Sequence, residues 1–144
     1  SSVYYQDNAP HRWEELQDFN CWLGEKISFV WHYFQFQSKG SHIVKSWLNI
    51  HTKGGETLEH YHNQTDLVVA SYITLPEDSG YILYRDPLEY HRSNEPISYH
   101  DDPYRKVECK AGDVLIFPGW LRHKTEASNS DEQRIVLTYN IHRT

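Results

Sequence analysis

The chain has 144 residues, carries a net charge of −6, and contains 10 His, no Met and 15% aromatic residues. The aromatic content excludes a disordered chain. The acidic balance (pI near 5.9) argues against a nucleic-acid partner, and apolar runs of only four residues (Leu67 to Ala70, Val114 to Phe117) argue against a membrane-spanning helix. The length predicts one domain over 1–144. No opening stretch reads as a signal peptide. Cys21 and Cys109 stand apart without a CxxC and read as free thiols, so a cytoplasmic protein is expected.

In chain order, Asn8-Ala9-Pro10 reads as a helix start, and Trp13, Leu16, Leu23 and Ile27 recur at near-helical spacing. The pattern predicts one amphipathic helix over 10–26. From there the period changes to two, and the aromatic run 28–37 reads as β-prone. Residues 42–51 alternate, with Val44, Ser46, Leu48 and Ile50 on one face and Ile43, Lys45, Trp47 and Asn49 on the other. Further short strands are expected at 57–62, 66–75, 80–85, 105–109, 113–117 and 133–141. The polar stretch 86–104, with Pro87, Pro96 and Pro103, reads as a long loop and a candidate lid. Many short strands after one helix predict a mainly β protein. The expected fold is a jelly roll, with a barrel over 28–141 and the helix packed on its outside.

Three pieces could carry chemistry. His60-Tyr61-His62 places two imidazoles on one face of an extended segment, which is either half of a metal site or two solvated histidines. Ala111 to His123 reads as a Gly-Asp turn, a buried strand, a Pro-Gly turn and a further His at the barrel mouth. The last strand splits with period two. Ile135, Leu137, Tyr139 and Ile141 form an apolar face, and Arg134, Val136, Thr138 and Asn140 a more polar one. An inward Arg is costly unless an anion meets it, and its planar fork suits a carboxylate. The alternative is an Arg paired in water with Asp131 or Glu132.

Taken together, these pieces resemble the Fe(II)/2-oxoglutarate-dependent oxygenases. His60-x-His62 is followed after 61 residues by His123 and after 11 more by Arg134. The pattern is more closely similar to the short 2-oxoglutarate oxygenases often encoded by phages. The matching stretches include Trp47 to Ile50, Ser71 to Pro76 with Ser79-Gly80, Asp86-Pro87, Gly112-Asp113, Phe117-Pro118 and Arg134 through Asn140, covering about two thirds of the chain. The resemblance implies a double-stranded β-helix around one Fe(II). It implies His60, His62 and His123 as metal ligands and Arg134 as the anchor of the distal carboxylate of 2-oxoglutarate. Asn49, Tyr72 and Thr138 become candidates for pocket hydrogen bonds. The implied activity is hydroxylation of a C–H bond in a peptidyl residue or small molecule, consuming O2 and releasing succinate and CO2. A phage-encoded member would work in the host cytoplasm.

The wider family has a carboxylate where this chain has His62. Three readings stay open: His62 is a ligand, Asp66 folds back to supply the carboxylate, or the site binds metal without turnover. A cupin is the rival family. Gly54 through His62 and Gly112 through His123 resemble its two motifs and use the same three histidines without 2-oxoglutarate. A non-enzymatic jelly-roll binding module is the third reading, and it predicts the three histidines apart in space. The other seven histidines lack convergent partners in sequence, although His51 shares the Asn49 face, and His91 and His100 lie in the polar loop. The sequence does not fix the oligomeric state.

Overall fold

A computed structural model describes residues 3–4, 9–38, 40–92 and 102–144. Two 3-10 turns, Pro10–Arg12 and Glu14–Leu16, lead into helix α1 (Gln17–Tyr33). The predicted helix over 10–26 therefore starts later and runs seven residues further. The aromatic run expected to be extended is mostly its last two turns. The apolar stripe explains this: Leu23, Ile27 and Trp31 recur every four residues and all three are buried. Strand-prone aromatics are overridden because the helical face has a sheet to cover. Phe29, Tyr33 and Phe34 are left exposed. The helix ends with Gln35 in the left-handed region (φ 57°) and bonds from Phe36 N to Trp31 O and Gln35 N to His32 O. The Phe36 ring then meets Trp31 edge-on at 5.5 Å.

Among the described residues, eight strands follow the order of the jelly roll: β1 (Val3–Tyr4), β2 (Ser41–His51), β3 (Leu67–Thr74), β4 (Ile82–Arg85), β5 (Tyr104–Val107), β6 (Val114–Pro118), β7 (His123–Thr125) and β8 (Arg134–Arg143). A five-stranded antiparallel sheet runs β1-β2-β8-β3-β6, and a three-stranded sheet runs β5-β4-β7. The split of β8 expected from its period is what the packing shows. Leu137, Tyr139 and Ile141 join Leu67, Val69 and the helix residues Leu23, Ile27 and Trp31 in one core outside the barrel. Val136 joins Ala70, Tyr72 and Ile82 in a second core between the sheets. The large sheet is thus apolar on both faces, and its inner face walls a cavity.

Three local expectations are corrected. Strand β2 shifts register at Val44. This bulge moves Ile43 onto the helix-facing core beside Leu48, away from the Trp47 face where strict alternation put it. The stretch 57–62 is not a strand. It makes one isolated bridge, His60 to His123, and β7 forms instead where a loop was expected. The loop 86–104 contains helix α2 (Glu89–Arg92) and the start of β5. The rest of that candidate lid, 93–101 with His100, lies outside the described residues. No helix among the described residues is long and apolar enough to cross a membrane.

Candidate metal centre

The three histidines come together because two chain segments pair at one point. His60 and His123 exchange backbone bonds in both directions at 3.0 Å. Residue alternation then carries His62 to the same side, where its amide binds Gly119 O at 2.8 Å. The ring centroids lie 4.3 to 5.3 Å apart, and one ring nitrogen from each lies within 4.8 Å of the others. The binding-module reading required these residues to be separate, and this geometry removes its basis.

Each ring has a defined outward partner. Nδ1 of His60 faces Leu58 O at 2.8 Å, Nδ1 of His123 faces Leu121 O at 2.8 Å, and Nδ1 of His62 faces Asn140 Oδ1 at 2.7 Å. All three partners accept, so each Nδ1 carries the proton and donates. The lone pair of each Nε2 is left free, which is how ligating imidazoles are oriented. Burial, opposed by the Leu121 carbonyl, holds His123 down to about 4. Burial also lowers His62, opposed by its bond to Asn140. Both rings are therefore neutral donors near neutral pH. Trp47 stacks on His62 with centroids 5.7 Å apart, and Phe117 meets His123 edge-on at 4.9 Å.

Asp66 is not part of this group. Its carboxylate accepts the Arg143 amide at 2.8 Å and lies 3.9 Å from the Arg143 guanidinium. The alternative in which it folds back to the cluster is corrected: the turn after His62 directs it to the end of β8.

A cavity of about 310 Å3 extends from the cluster into the barrel. Arg134 stands on its wall, 2% exposed, and its hydrogen-bond partners among the described residues are neutral. Nη1 donates to Ser79 O at 3.2 Å and Gly80 O at 3.0 Å, and Nη2 donates to His51 Nδ1 at 2.7 Å. The Asp131 and Glu132 pairing is therefore not formed, and Asp131 instead meets Lys53 at 3.0 Å. Gly80 makes the carbonyl turn possible. Its φ is +82°, and a Cβ there would lie 2.6 Å from Glu126 O. His51 is 1% exposed, with Nε2 3.0 Å from Thr57 Oγ1. Because Nδ1 must accept from Arg134, Nε2 carries the proton and donates to Thr57. Burial, then the Arg134 charge, holds His51 down to about 4.

The remaining expected residues also line this cavity. Asn49 Nδ2 donates to Thr138 Oγ1 at 3.0 Å, and Trp47 Nε1 donates to Asn49 Oδ1 at 3.2 Å. The Thr138 hydroxyl proton is thereby left to a further acceptor. Tyr72 is 4% exposed. Burial first, and the neighbouring Cys109 thiol second, push its hydroxyl well above the usual tyrosine range, so it stays protonated. The sequence reading gave no role to Asn140, Trp47 or Thr57. Period two had placed Asn140 beside Thr138, but which ring it would orient depended on the 62–66 turn. His91 is exposed and away from the cavity.

A jelly roll whose inner face presents three ligand-ready imidazoles and a buried guanidinium has a donor set that could hold a metal ion. The chain belongs to the family described as putative 2OG-Fe(II) oxygenase, whose model matches residues 45–140. The groups that family's description names are Fe(II) and 2-oxoglutarate, and the oxygenase side of the two sequence resemblances holds. The fold is similar to a 2OG-Fe(II) oxygenase family oxidoreductase from Burkholderia pseudomallei (TM-score 0.62, 15% identity, covering 81% of this chain and 52% of that one). It is also similar to the non-heme alpha ketoglutarate dependent epimerase SnoN from nogalamycin biosynthesis (TM-score 0.67, 16% identity, 98% and 61%). A third similar structure is a Pseudomonas putida prolyl-4-hydroxylase (TM-score 0.65, 12% identity, 98% and 71%). The chain thus spans only about half to seven-tenths of these structures. No curated protein sequence matches it.

The residues present fit the groups the family implies. The donor set is three neutral nitrogens with fixed tautomers. Arg134 Nε is buried without a hydrogen-bond partner among the described residues, which is the unmet donor a carboxylate would satisfy.

Proposed function

We propose that the chain is a 2-oxoglutarate-dependent hydroxylase in which His60, His62 and His123 hold Fe(II) and Arg134 binds the distal carboxylate of 2-oxoglutarate. When bound, iron and 2-oxoglutarate supply the oxidation. In that reaction O2 would be divided between 2-oxoglutarate, giving succinate and CO2, and a substrate C–H bond, giving C–OH. The observation that supports this best is one cavity shared by three free Nε2 lone pairs and the unpaired Nε–H of Arg134.

The protein's own part is orientation. Asn140 and the Leu58 and Leu121 carbonyls fix the three rings before metal arrives, which removes part of the ordering cost of ligation. His51 and the Ser79 and Gly80 carbonyls occupy Nη1 and one face of Nη2. They leave Nε, with the rest of Nη2, as the fork for a carboxylate. Thr138 and Tyr72 are donors placed along the wall, and Asn49 holds Thr138 in position. Val68, Ala70, Ile82 and Val136 give the cavity an apolar wall. Free thiols at Cys21 and Cys109 suit a reducing compartment such as the cytoplasm.

Trp47 provides a direct test, since its ring stacks on His62. Anaerobic Fe(II) addition is expected to quench tryptophan fluorescence saturably in the wild type and weakly in His60→Ala. 2-Oxoglutarate added next should bind the wild type tightly and Arg134→Met much more weakly. Unaltered 2-oxoglutarate affinity in Arg134→Met would contradict the anchor assignment.

A further inference from the structure

The cavity wall has an unusual charge balance. Among the described residues lining it there is no Asp or Glu, although the chain has 20 acidic residues and a net charge of −6. Arg134 stands on the wall. Behind the lining one charge of each sign acts on it and they offset: the Lys45 ammonium, 5.6 Å from the Trp47 ring, acts on His62, and the Glu126 carboxylate, which accepts the Tyr81 amide at 2.9 Å, acts on Arg134. The carboxylates of Glu59 and Asp66, on either side of the ligand pair in sequence, are held elsewhere. Glu59 precedes His60, yet it faces Arg85 at 3.3 Å, Arg122 at 3.4 Å and the Tyr104 hydroxyl. Asp66 is held by the amide of Arg143. The outward partners of the three rings are neutral oxygens as well, so no carboxylate lends charge through an imidazole.

The consequence rests on the function proposed above. A divalent metal on three neutral imidazoles keeps both of its positive charges, and Arg134 adds a third. 2-Oxoglutarate, a dianion, cancels two. One positive charge remains inside a partly enclosed cavity, where an uncompensated charge is costly. We propose that the centre takes one further monoanionic group against the three-histidine cluster, either a carboxylate of the primary substrate or a free inorganic anion. The favoured substrate class is then a small carboxylic acid or an acidic side chain, with the free anion as the competing source.

Cobalt(II) provides a spectroscopic test that does not depend on turnover. The full chain is loaded with Co(II) and 2-oxoglutarate, then titrated at constant ionic strength with sodium acetate or sodium chloride. The visible spectrum is expected to change saturably. A tighter response to acetate assigns the site to a substrate carboxylate, and a tighter response to chloride to an inorganic anion. Asn140→Asp, which sets a carboxylate against His62 Nδ1, should weaken the anion by about tenfold or more, a modest share of one added charge at this range. His62→Asp, which brings the carboxylate into the cluster, should do the same and stands in if the first variant fails to fold. A wild-type spectrum indifferent to both anions while Co(II) and 2-oxoglutarate bind would overturn this inference and leave the function intact. Equal anion affinity in wild type and the folded variants would overturn it too. Failure of Co(II) or 2-oxoglutarate to bind would overturn the function and this inference together.

Discussion

Arg134 is a cation buried among neutral acceptors. Its charge is costly when no anion is present, but its N–H groups also satisfy His51 Nδ1 and the Ser79 and Gly80 carbonyls, which a substitution would leave without a donor. Arg134→Met is therefore expected to melt at a lower temperature than the wild type without ligand, while losing about tenfold to a hundredfold or more in 2-oxoglutarate affinity. Unchanged 2-oxoglutarate affinity in the folded variant would instead make Arg134 a structural residue alone. His51, which fixes the guanidinium, has a pH signature. Its pKa is about 4 in the fold against 6.5 ordinarily, so between those values the unfolded chain binds more protons than the folded one. Stability is full above pH 6.5 and falls as pH drops toward 4, by about 3 kcal/mol for a shift of this size. His123 adds in the same direction. Urea midpoints measured from pH 7 to 4 should fall less steeply in His51→Gln. An unchanged slope would show that His51 is not the buried neutral ring described.

Glycine contacts set the geometry of the elements around the site. Gly119 packs so closely on the 62–66 turn that a Cβ would lie 2.1 Å from Thr65 O and 3.0 Å from His62 O. Gly119→Ala must push that turn away, and with it His62. The expected cost is about 1–3 kcal/mol in denaturant unfolding, with weaker metal binding by fluorescence titration. Helix α1 serves the site from the far side of the sheet. Leu23→Ala, at a fully buried contact, should cost about 2–5 kcal/mol without changing metal affinity once folded. The sequence showed the elements that repeat cleanly. β8 alternates without interruption, so its wall residues Arg134, Thr138 and Asn140 could be read directly. The helix was readable in its first half only, because from Ser28 onward the aromatics favour a strand and the Leu23-Ile27-Trp31 stripe wins only when the sheet beneath it is known. The bulge at Val44 and the short pairing of His60 with His123 are set by tertiary contacts. The first moved Ile43 to the other face, and the second turned an expected strand into a single bridge. The histidine cluster could still be anticipated, since i, i+2 spacing needs only locally extended backbone.

At the scale of the whole molecule, acidic charge lies outside and a site without described acidic residues lies inside. The jelly roll keeps them apart: one face of the large sheet packs on α1 and the other walls the cavity. Exposed Tyr61 lines both the cavity and a neighbouring surface hollow that it shares with exposed Trp120, and the Arg122 guanidinium lies 5.2 Å from the Tyr61 ring. The central claim is that the three imidazoles and Arg134 together bind an iron–2-oxoglutarate chelate. It is tested most directly by anaerobic absorption spectroscopy of the full chain with Fe(II), before and after 2-oxoglutarate. The account predicts a visible charge-transfer band that needs both additions, is absent in His123→Ala, and requires much more 2-oxoglutarate in Arg134→Met. No band in the wild type at saturating Fe(II) and 2-oxoglutarate would contradict it.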